Sequence, residues 1–402
     1  MENYVSIIKV KKPLEKVSSP SLGASFNLNS YRDIDATKSE ISRLKQFSEF
    51  SVDGKLSEEN GDRRETLDSK KSNEFVVKHR NHIIRKIYFE DKQFGMYAAK
   101  FSSNGETFAS AFGSGCIQLR NGKTGELRMT IKCSLDTSLP ITSCRFHPNE
   151  KEVFFASSAS GNIYLCRTDN IEFWKFAEET GNEINCIDIN ISGKQIVSGG
   201  KDAGIRVYDV DTGKIIMNYQ KEKEVMIPEN AVNLHQMRVY AVKFNPADDN
   251  VFMSGGWDNT VKIWDSRIGE KCVRMIHGPH ICGDSIDIRE DRLLTGSHVV
   301  KDSLQIWDLQ SCKLIETINP INRSVSEKGE HIYAAQFFHG DPYGTHVIVG
   351  SSSIGNVEII NLKTKEIVAA FATPKATLAI DSYQSRIVYG GMDTAITLTE
   401  FH

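Results

Sequence analysis

The chain has little that would direct it to a nucleic acid or a membrane. Its 49 lysines and arginines nearly balance its 52 aspartates and glutamates, and the formal net charge is −3. No field of one sign is therefore available to attract an anionic polymer or an anionic bilayer. No uninterrupted apolar run approaches the ~20 residues that a membrane-spanning helix needs. We expect neither nucleic acid nor membrane as a partner.

We also expect neither a disulfide framework nor a secretory leader. The eight cysteines are scattered and form no Cys-x-x-Cys pair. Cys144 and Cys186 fall where a strand needs a small apolar residue, which is typical of reduced thiols. The first twelve residues carry charges through their apolar part and make a poor signal peptide. We expect a cytoplasmic protein, with the nucleus or the cytoskeleton as further possible locations.

What the sequence does contain is one pattern that occurs seven times from about residue 95 onward. Its clearest copy runs from His235 to Phe244 and continues from Ser254 to Asp265. Short strands at a period of about 40 to 50 residues indicate the blades of a β-propeller. We therefore predict an all-β fold, a seven-bladed propeller over residues 81–402. The apolar centres of the third strands mark the seven copies: Ile117, Ile163, Ile205, Val261, Leu304, Val357 and Ile396.

Two further columns recur in the first strand of each copy, one of small residues and a later one of bulky residues. Alternate residues of a strand face the same way, and we expect both columns to share the face that packs between blades. The small column contains Ala98, Ser143, Cys186, Ala241, Ser285, Ala334 and Thr377. The bulky column contains Phe101, Phe146, Ile189, Phe244, Ile288, Phe337 and Ile380.

The two ends of the repeat region predict how the ring closes. The last repeat stops at His402, directly after a third strand, Ala395-Ile-Thr-Leu-Thr399. A strand-like segment at 83–89 precedes the first repeat and has no partner near it in sequence. Because an open sheet edge invites aggregation, we expect this segment to become the outer strand of the last blade.

Short motifs in the repeats resemble those of the WD40-repeat family. Ile263-Trp264-Asp265 and Ile306-Trp307-Asp308 match its Trp-Asp signature. The resemblance implies a tetrad in the fourth blade in which a buried aspartate accepts hydrogen bonds from the other members: His235, Ser254, Asp258 and Trp264. A version of this tetrad is expected in the fifth blade from His280, Thr295, Asp302 and Trp307.

Residues 1–80 differ in kind from the repeats. They are rich in Ser, Asn, Lys and Glu and lack strand alternation, which indicates a disordered or partner-docking extension. Within them Thr37-Lys-Ser-Glu40 resembles a capping box, followed by Ile41, Leu44 and Phe47 at three-residue spacing. A short helix at 38–50 that docks on another surface is the alternative.

The motifs that suggest catalysis are incomplete. Gly122-Lys123-Thr124 looks like the end of a phosphate loop, but Ile117 stands where that loop needs glycine. His277 and His280 lie close in sequence, but no carboxylate or cysteine pattern completes a metal site. We expect no catalytic residue, no cofactor and no metal.

The remaining candidates are surface residues that would bind proteins or peptides. Trp257, beside Asp258, is expected to project from the upper rim, where large aromatic residues serve as anchors. The further candidates are Tyr240, Lys201 and Lys301.

The long connection at 219–234 is expected to contact a partner or the extension, and that at 319–330 also exceeds what a hairpin needs. We predict a non-catalytic interaction scaffold within a larger assembly.

Two other functions stay open. Trp264-Asp265-Ser266-Arg267 is similar to a box through which some WD40 proteins dock on the adaptor of a cullin-ring ubiquitin ligase. This makes Arg267 a candidate contact and a ligase substrate receptor an alternative function. The second alternative is a cytoskeletal or axonemal structural component that uses residues 1–80 as its anchor.

Overall fold

The computed structural model describes residues 81–133, 138–220, 233–269, 271–323 and 329–402. The N-terminal extension with its proposed helix, most of the connection at 219–234 and part of that at 319–330 lie outside these residues. The described ranges contain the short 3-10 helix η1 (Asp91–Gln93). No helix in this part of the chain has the length and apolarity needed to cross a lipid bilayer.

The strands form seven sheets of four. Blade 1 is β2 (Met96–Phe101), β3 (Thr107–Phe112), β4 (Ile117–Asn121) and β5 (Leu127–Lys132); blade 2 is β6 (Ile141–Phe146), β7 (Val153–Ser158), β8 (Asn162–Arg167) and β9 (Glu172–Glu178). Blade 3 is β10 (Ile184–Ile189), β11 (Gln195–Gly200), β12 (Ile205–Asp209) and β13 (Ile215–Tyr219); blade 4 is β14 (Val239–Asn245), β15 (Asp248–Gly256), β16 (Thr260–Asp265) and β17 (Arg274–His277). Blade 5 is β18 (Ile286–Arg289), β19 (Arg292–Gly296), β20 (Leu304–Asp308) and β21 (Leu314–Thr317); blade 6 is β22 (Ile332–Phe337), β23 (His346–Ser351), β24 (Asn356–Asn361) and β25 (Glu366–Ala372). Blade 7 is β26 (Thr377–Tyr383), β27 (Arg386–Gly391), β28 (Ala395–Phe401) and β1 (Asn81–Tyr88).

The ring closes as the sequence predicts. β1 pairs antiparallel with β28, so a strand from the start of the described region completes the last blade. First strands of neighbouring blades contact one another around the whole ring, including β2 against β26 at the closure. These seven strands therefore form the inner wall, and the fourth strands form the perimeter.

The third-strand column is confirmed, whereas the prediction for the first strand is wrong in two respects. Each bulky residue follows its small residue by three positions, as Phe101 follows Ala98, so alternation turns the two columns to opposite faces. In blade 7 the predicted register is displaced by two residues. Ala379, and not Thr377, pairs with Gly390 in the way that Ala98 pairs with Ala111.

Two rims follow from this topology. The upper rim contains the turns between second and third strands and the connections that lead from one blade to the next. The lower rim contains the turns between first and second strands and between third and fourth strands. The hydrophobic core lies between blades, because each cluster combines neighbouring sheets, as Tyr219 of blade 3 and Trp264 of blade 4 do.

Candidate interaction surfaces and the buried hydrogen-bond network

The fourth blade brings together the four residues expected to form a tetrad. His235 Nδ1 lies 2.8 Å from Asp258 Oδ2, and His235 Nε2 lies 2.6 Å from Ser254 Oγ. Trp264 Nε1 donates to Ser254 Oγ at 2.7 Å. The expectation that the aspartate accepts from all the others is wrong, since the four residues form a chain that runs from the indole through the hydroxyl and the imidazole to the carboxylate.

Electrostatics fix the direction of this chain. Burial lowers the pKa of His235, although Asp258 acts in the other direction. Burial alone would raise the pKa of Asp258, but bonds from His235, Thr260 and the Gln236 backbone lower it to about 2. A neutral imidazole beside an ionised carboxylate places the proton on Nδ1, from which it is donated to Asp258. His235 Nε2 then accepts from the Ser254 hydroxyl.

Blade 3 builds a related network that the sequence reasoning missed. Glu179 Oε1 accepts from Ser198 Oγ at 2.5 Å and from Tyr208 Oη at 2.8 Å. Its other oxygen accepts from Arg206 at 2.7 Å, and Arg206 also pairs with Asp202. The signal was present, because Ser198, Asp202 and Tyr208 repeat the spacing of Ser254, Asp258 and Trp264. Glu179 stands where blade 4 has His235, and its carboxylate is the common acceptor of the blade 3 network.

The expected tetrad in blade 5 is wrong. Trp307 Nε1 does donate to Thr295 Oγ1 at 2.9 Å. His280, however, has its Nδ1 2.7 Å from Asn259 Oδ1 of blade 4. Asp302 is exposed and accepts from the Asn319 amide at 3.0 Å.

The reason is the position of His280 in the connection between β17 and β18. Its carbonyl accepts a backbone bond from His298, as the carbonyl of Arg238 accepts one from Trp257 in blade 4. His280 is therefore the counterpart of Arg238, three residues beyond the place that His235 occupies.

Trp257 lies on the upper rim, half-buried, in a turn fixed by the Asp258 tetrad. Its ring stacks on Tyr240, with ring centroids 5.2 Å apart and planes at 29°. The Arg238 guanidinium lies 5.9 Å from the centre of the indole. Arg238 also donates to Glu183 of blade 3 at 2.8 Å. The indole therefore packs partly on its own blade and keeps part of its surface exposed.

Two matches to family models lie in the repeat region. Residues 144–233 match the family described as the anaphase-promoting complex subunit 4 WD40 domain, and residues 229–265 match the WD domain, G-beta repeat. The second match contains the whole blade 4 tetrad. With seven four-stranded blades and a Trp-Asp signature beside them, these matches decide the family. The chain belongs to the WD40-repeat family.

Similarity to individual WD40 proteins is partial. The chain is 28% identical over 184 residues to WD repeat-containing protein 55 of Danio rerio, which covers 44% of this chain and 42% of that protein. It is 33% identical over 78 residues to WD repeat-containing protein 25 of Mus musculus, which covers 19% of this chain and 12% of that protein. The chain thus matches less than half the length of either relative.

The other candidates on this WD40 propeller are divided between the rims. Lys201 lies on the upper rim and pairs with Glu183 at 2.7 Å, and Lys301 is exposed on the upper rim of blade 5. Arg267 lies on the lower rim, with 56% of its side chain exposed. It pairs with Asp265 at 2.7 Å and Asp248 at 2.9 Å. The structure therefore does not bring Arg267 together with Trp257.

The central channel holds a ring of seven polar side chains, six of them charged, that the sequence reasoning also missed. One position of each first strand supplies it: Lys100, Arg145, Asp188, Lys243, Asp287, Gln336 and Asp381. Neighbouring blades pair through Arg145 and Asp188 at 2.8 Å and through Lys243 and Asp287 at 3.1 Å. Asp381 joins the last blade to the first, since it accepts from the Phe101 backbone at 2.7 Å.

Asp284 crosses this channel. In blade 4 one residue separates Val239 from the small residue Ala241, whereas in blade 5 three residues separate the equivalent Ile281 from Ser285. Asp284 is one of these three. Its carboxylate lies 2.9 Å from Lys100 and 2.9 Å from Arg145 on the far side of the ring. Burial would raise the pKa of Asp284, but these two cations and Lys243 outweigh burial and lower it. The axis is thus occupied by ion pairs at this level.

Proposed function

We propose that this WD40 propeller is a non-catalytic scaffold that joins proteins in a larger assembly and binds a partner over the upper rim around Trp257. WD40 propellers in general bind proteins or peptides, as the resemblance implies. The two relatives described above are named for their repeats. One matched family is a domain of a subunit of the anaphase-promoting complex, which favours a role within an assembly for this chain as well.

The observation that carries the proposal is the stack of Arg238, Trp257 and Tyr240. The Trp257 backbone N–H donates to the Arg238 carbonyl at 3.0 Å, and Asp258 next to it is held by His235. The indole is therefore presented from a rigid frame, so a partner that covers it loses little conformational entropy. Tryptophan, tyrosine and arginine are also the residue types that dominate binding energy at interfaces.

The chemistry around the stack favours an amphipathic peptide as partner. Trp257 and Tyr240 offer apolar area, and Met237 on the same rim is 48% exposed. Lys201 and Arg238 both pair with the carboxylate of Glu183 and place basic side chains beside the site. A peptide with an apolar anchor and an acidic flank would fit this combination. We place this activity in the cytoplasm.

Trp257→Ala tests the proposal. Loss of the stack on Tyr240 should cost about 0.5–1.5 kcal/mol of stability, which leaves the propeller folded. Quantitative capture of partners from native cells should fall at least about tenfold, as expected for an interface anchor. Trp174→Ala is the matched control, because Trp174 is also half-buried but lies on the outer strand of blade 2. Equal partner capture by wild type and a folded Trp257→Ala protein would rule out this site.

A substrate receptor of a cullin-ring ubiquitin ligase is the second candidate function. It is favoured by the exposure of Arg267, whose guanidinium is oriented by Asp265 within the Trp-Asp-x-Arg box. Arg267→Ala should abolish association with the ligase adaptor, whereas Trp257→Ala should leave it intact. If the adaptor is absent from the partners captured by the wild-type protein, this candidate is excluded. Tubulin-associated proteins among those partners would favour a cytoskeletal or axonemal role.

A further inference from the structure

The first turn of blade 6 is the longest of its kind in the propeller and it is rigidly built. Eight residues separate β22 from β23, whereas two separate β18 from β19 in blade 5. Asp341, which is buried, accepts from the Tyr343 backbone at 2.9 Å and from the Thr345 hydroxyl at 2.7 Å. It also accepts from His346 Nδ1 at 2.9 Å. Such a turn on the lower rim holds its tip in one conformation.

Blade 5 supports the same turn from beneath. Arg289 donates to the Pro342 carbonyl at 2.7 Å, and Arg292 donates to the Gly344 carbonyl at 3.0 Å. Gly344 has φ +58°, and a Cβ there would lie 2.6 Å from Arg289 Cδ. The close contact explains the glycine, since any side chain would displace the arginine.

This frame presents Tyr343 almost entirely to solvent. Its 81% exposure is the highest among the large apolar side chains of the described residues. Ile321, at 73%, belongs to the connection between blades 5 and 6 but lies at the lower edge of blade 6, because its backbone N–H donates to the Lys365 carbonyl in the turn between β24 and β25. Leu314, 45% exposed, begins the outer strand of blade 5 beside this edge. Exposed apolar side chains gathered in one region mark an interaction surface.

The charges on this surface are balanced. None of the charged side chains in its turns named here forms an ion pair within the described part of the chain. The cations are Arg289, Arg292, Lys313 and Lys363, and the anions are Glu290, Asp291, Asp308 and Glu366. A partner of one sign would gain on half of these groups and be repelled by the other half. A two-fold interface brings a patch against a copy of itself, so equal numbers of both signs are what it requires.

We infer that the lower edge of blades 5 and 6 is the contact surface of a homodimer, with Tyr343 and Ile321 at its centre. In this arrangement each Tyr343 packs on the partner's apolar edge, and the arginines and carboxylates pair across the two-fold axis. The surface lies on the rim opposite Trp257. A dimer would therefore carry two upper rims that face away from the contact, and would hold two partners at once. The inference does not rest on the proposed function.

Sedimentation velocity of the full chain tests it, from about 1 to about 100 µM protein. The wild-type mass should rise with concentration toward twice that of the monomer. Tyr343→Ala and Ile321→Asp should each remain monomeric across this range, with melting temperatures close to that of wild type because both side chains are exposed. Tyr88→Ala is the control, since Tyr88 is 72% exposed on β1 of blade 7, and it should dimerise like wild type.

Two results would overturn the inference. One is a wild-type protein that remains monomeric at the highest concentration. The other is dimerisation of Tyr343→Ala and Ile321→Asp with the same affinity as wild type, which would place the dimer contact elsewhere.

Discussion

Replacing Asp258 by alanine removes the final acceptor of the blade 4 chain. His235 Nδ1, at 2.8 Å, then has no partner, and His235 is 1% exposed, so water does not replace the carboxylate. Thr260 Oγ1, at 2.7 Å, and the Gln236 backbone N–H, at 3.0 Å, lose the same acceptor. One buried unsatisfied donor costs about 1–3 kcal/mol. Gln236 is exposed, so in the variant water can accept from its backbone N–H in place of Asp258. We expect Asp258→Ala to destabilise the propeller by about 1–3 kcal/mol.

Urea unfolding of Asp258→Ala and Asp302→Ala measures this effect. Asp302 was expected from sequence to play the same part in blade 5, but it is exposed and bonds to Asn319 alone. Its replacement should cost less than about 0.5 kcal/mol. If the two variants unfold at the same urea concentration, the stabilising role of the tetrad is refuted.

The same pair of residues sets a pH dependence. The folded-state pKa of Asp258, about 2, lies below its ordinary value of 3.8, so the stability it contributes is complete above pH 3.8 and is lost as pH falls toward 2. The pKa of His235 is also lowered from 6.5. As pH falls, His235 is therefore protonated in the unfolded chain before it is protonated in the folded protein, and the stability of the fold decreases below pH 6.5. The difference between wild type and Asp258→Ala should shrink between pH 3.8 and 2.

Two further changes test the fold. Deleting residues 1–90 removes β1 and leaves β28 with an open edge, so this truncation should make the protein insoluble or strongly lower its melting temperature. Deleting residues 1–75 should do neither. Equal stability of the two truncations would contradict closure by β1. Glu179→Ala leaves the Ser198 and Tyr208 hydroxyls without their common acceptor, at about 1–3 kcal/mol for each, and leaves Arg206 with Asp202 as its remaining carboxylate. The adjacent exposed Glu178→Ala should cost less than about 0.5 kcal/mol, and a similar loss in both would refute the blade 3 network.

The repeat pattern was enough to predict the blades, because strand alternation and turn residues are local properties. The register of Ile117 and its six counterparts, and the pairing of β1 with β28, follow from the spacing of those strands alone. The error in blade 7 arose where Thr377 looked like a small residue, and a shift of two residues keeps the alternation of faces. Composition alone does not detect such a slip.

Side-chain partners were harder to predict, since they depend on which blades adjoin and on short insertions. The chain of bonds through Ser254 depends on distances that the tetrad motif does not specify. Asp284 reaches Lys100 across the ring because of an insertion whose direction no sequence pattern reveals. The exposure of Tyr343 depends on the contact of its turn with Arg289 of the neighbouring blade.

The most direct test of the account is the set of proteins captured from native cells by wild type, Trp257→Ala and Trp174→Ala, each shown to be folded by its melting temperature. The account predicts that wild type and Trp174→Ala recover the same principal partner and that Trp257→Ala loses it. Recovery of that partner by all three proteins would contradict binding over the upper rim.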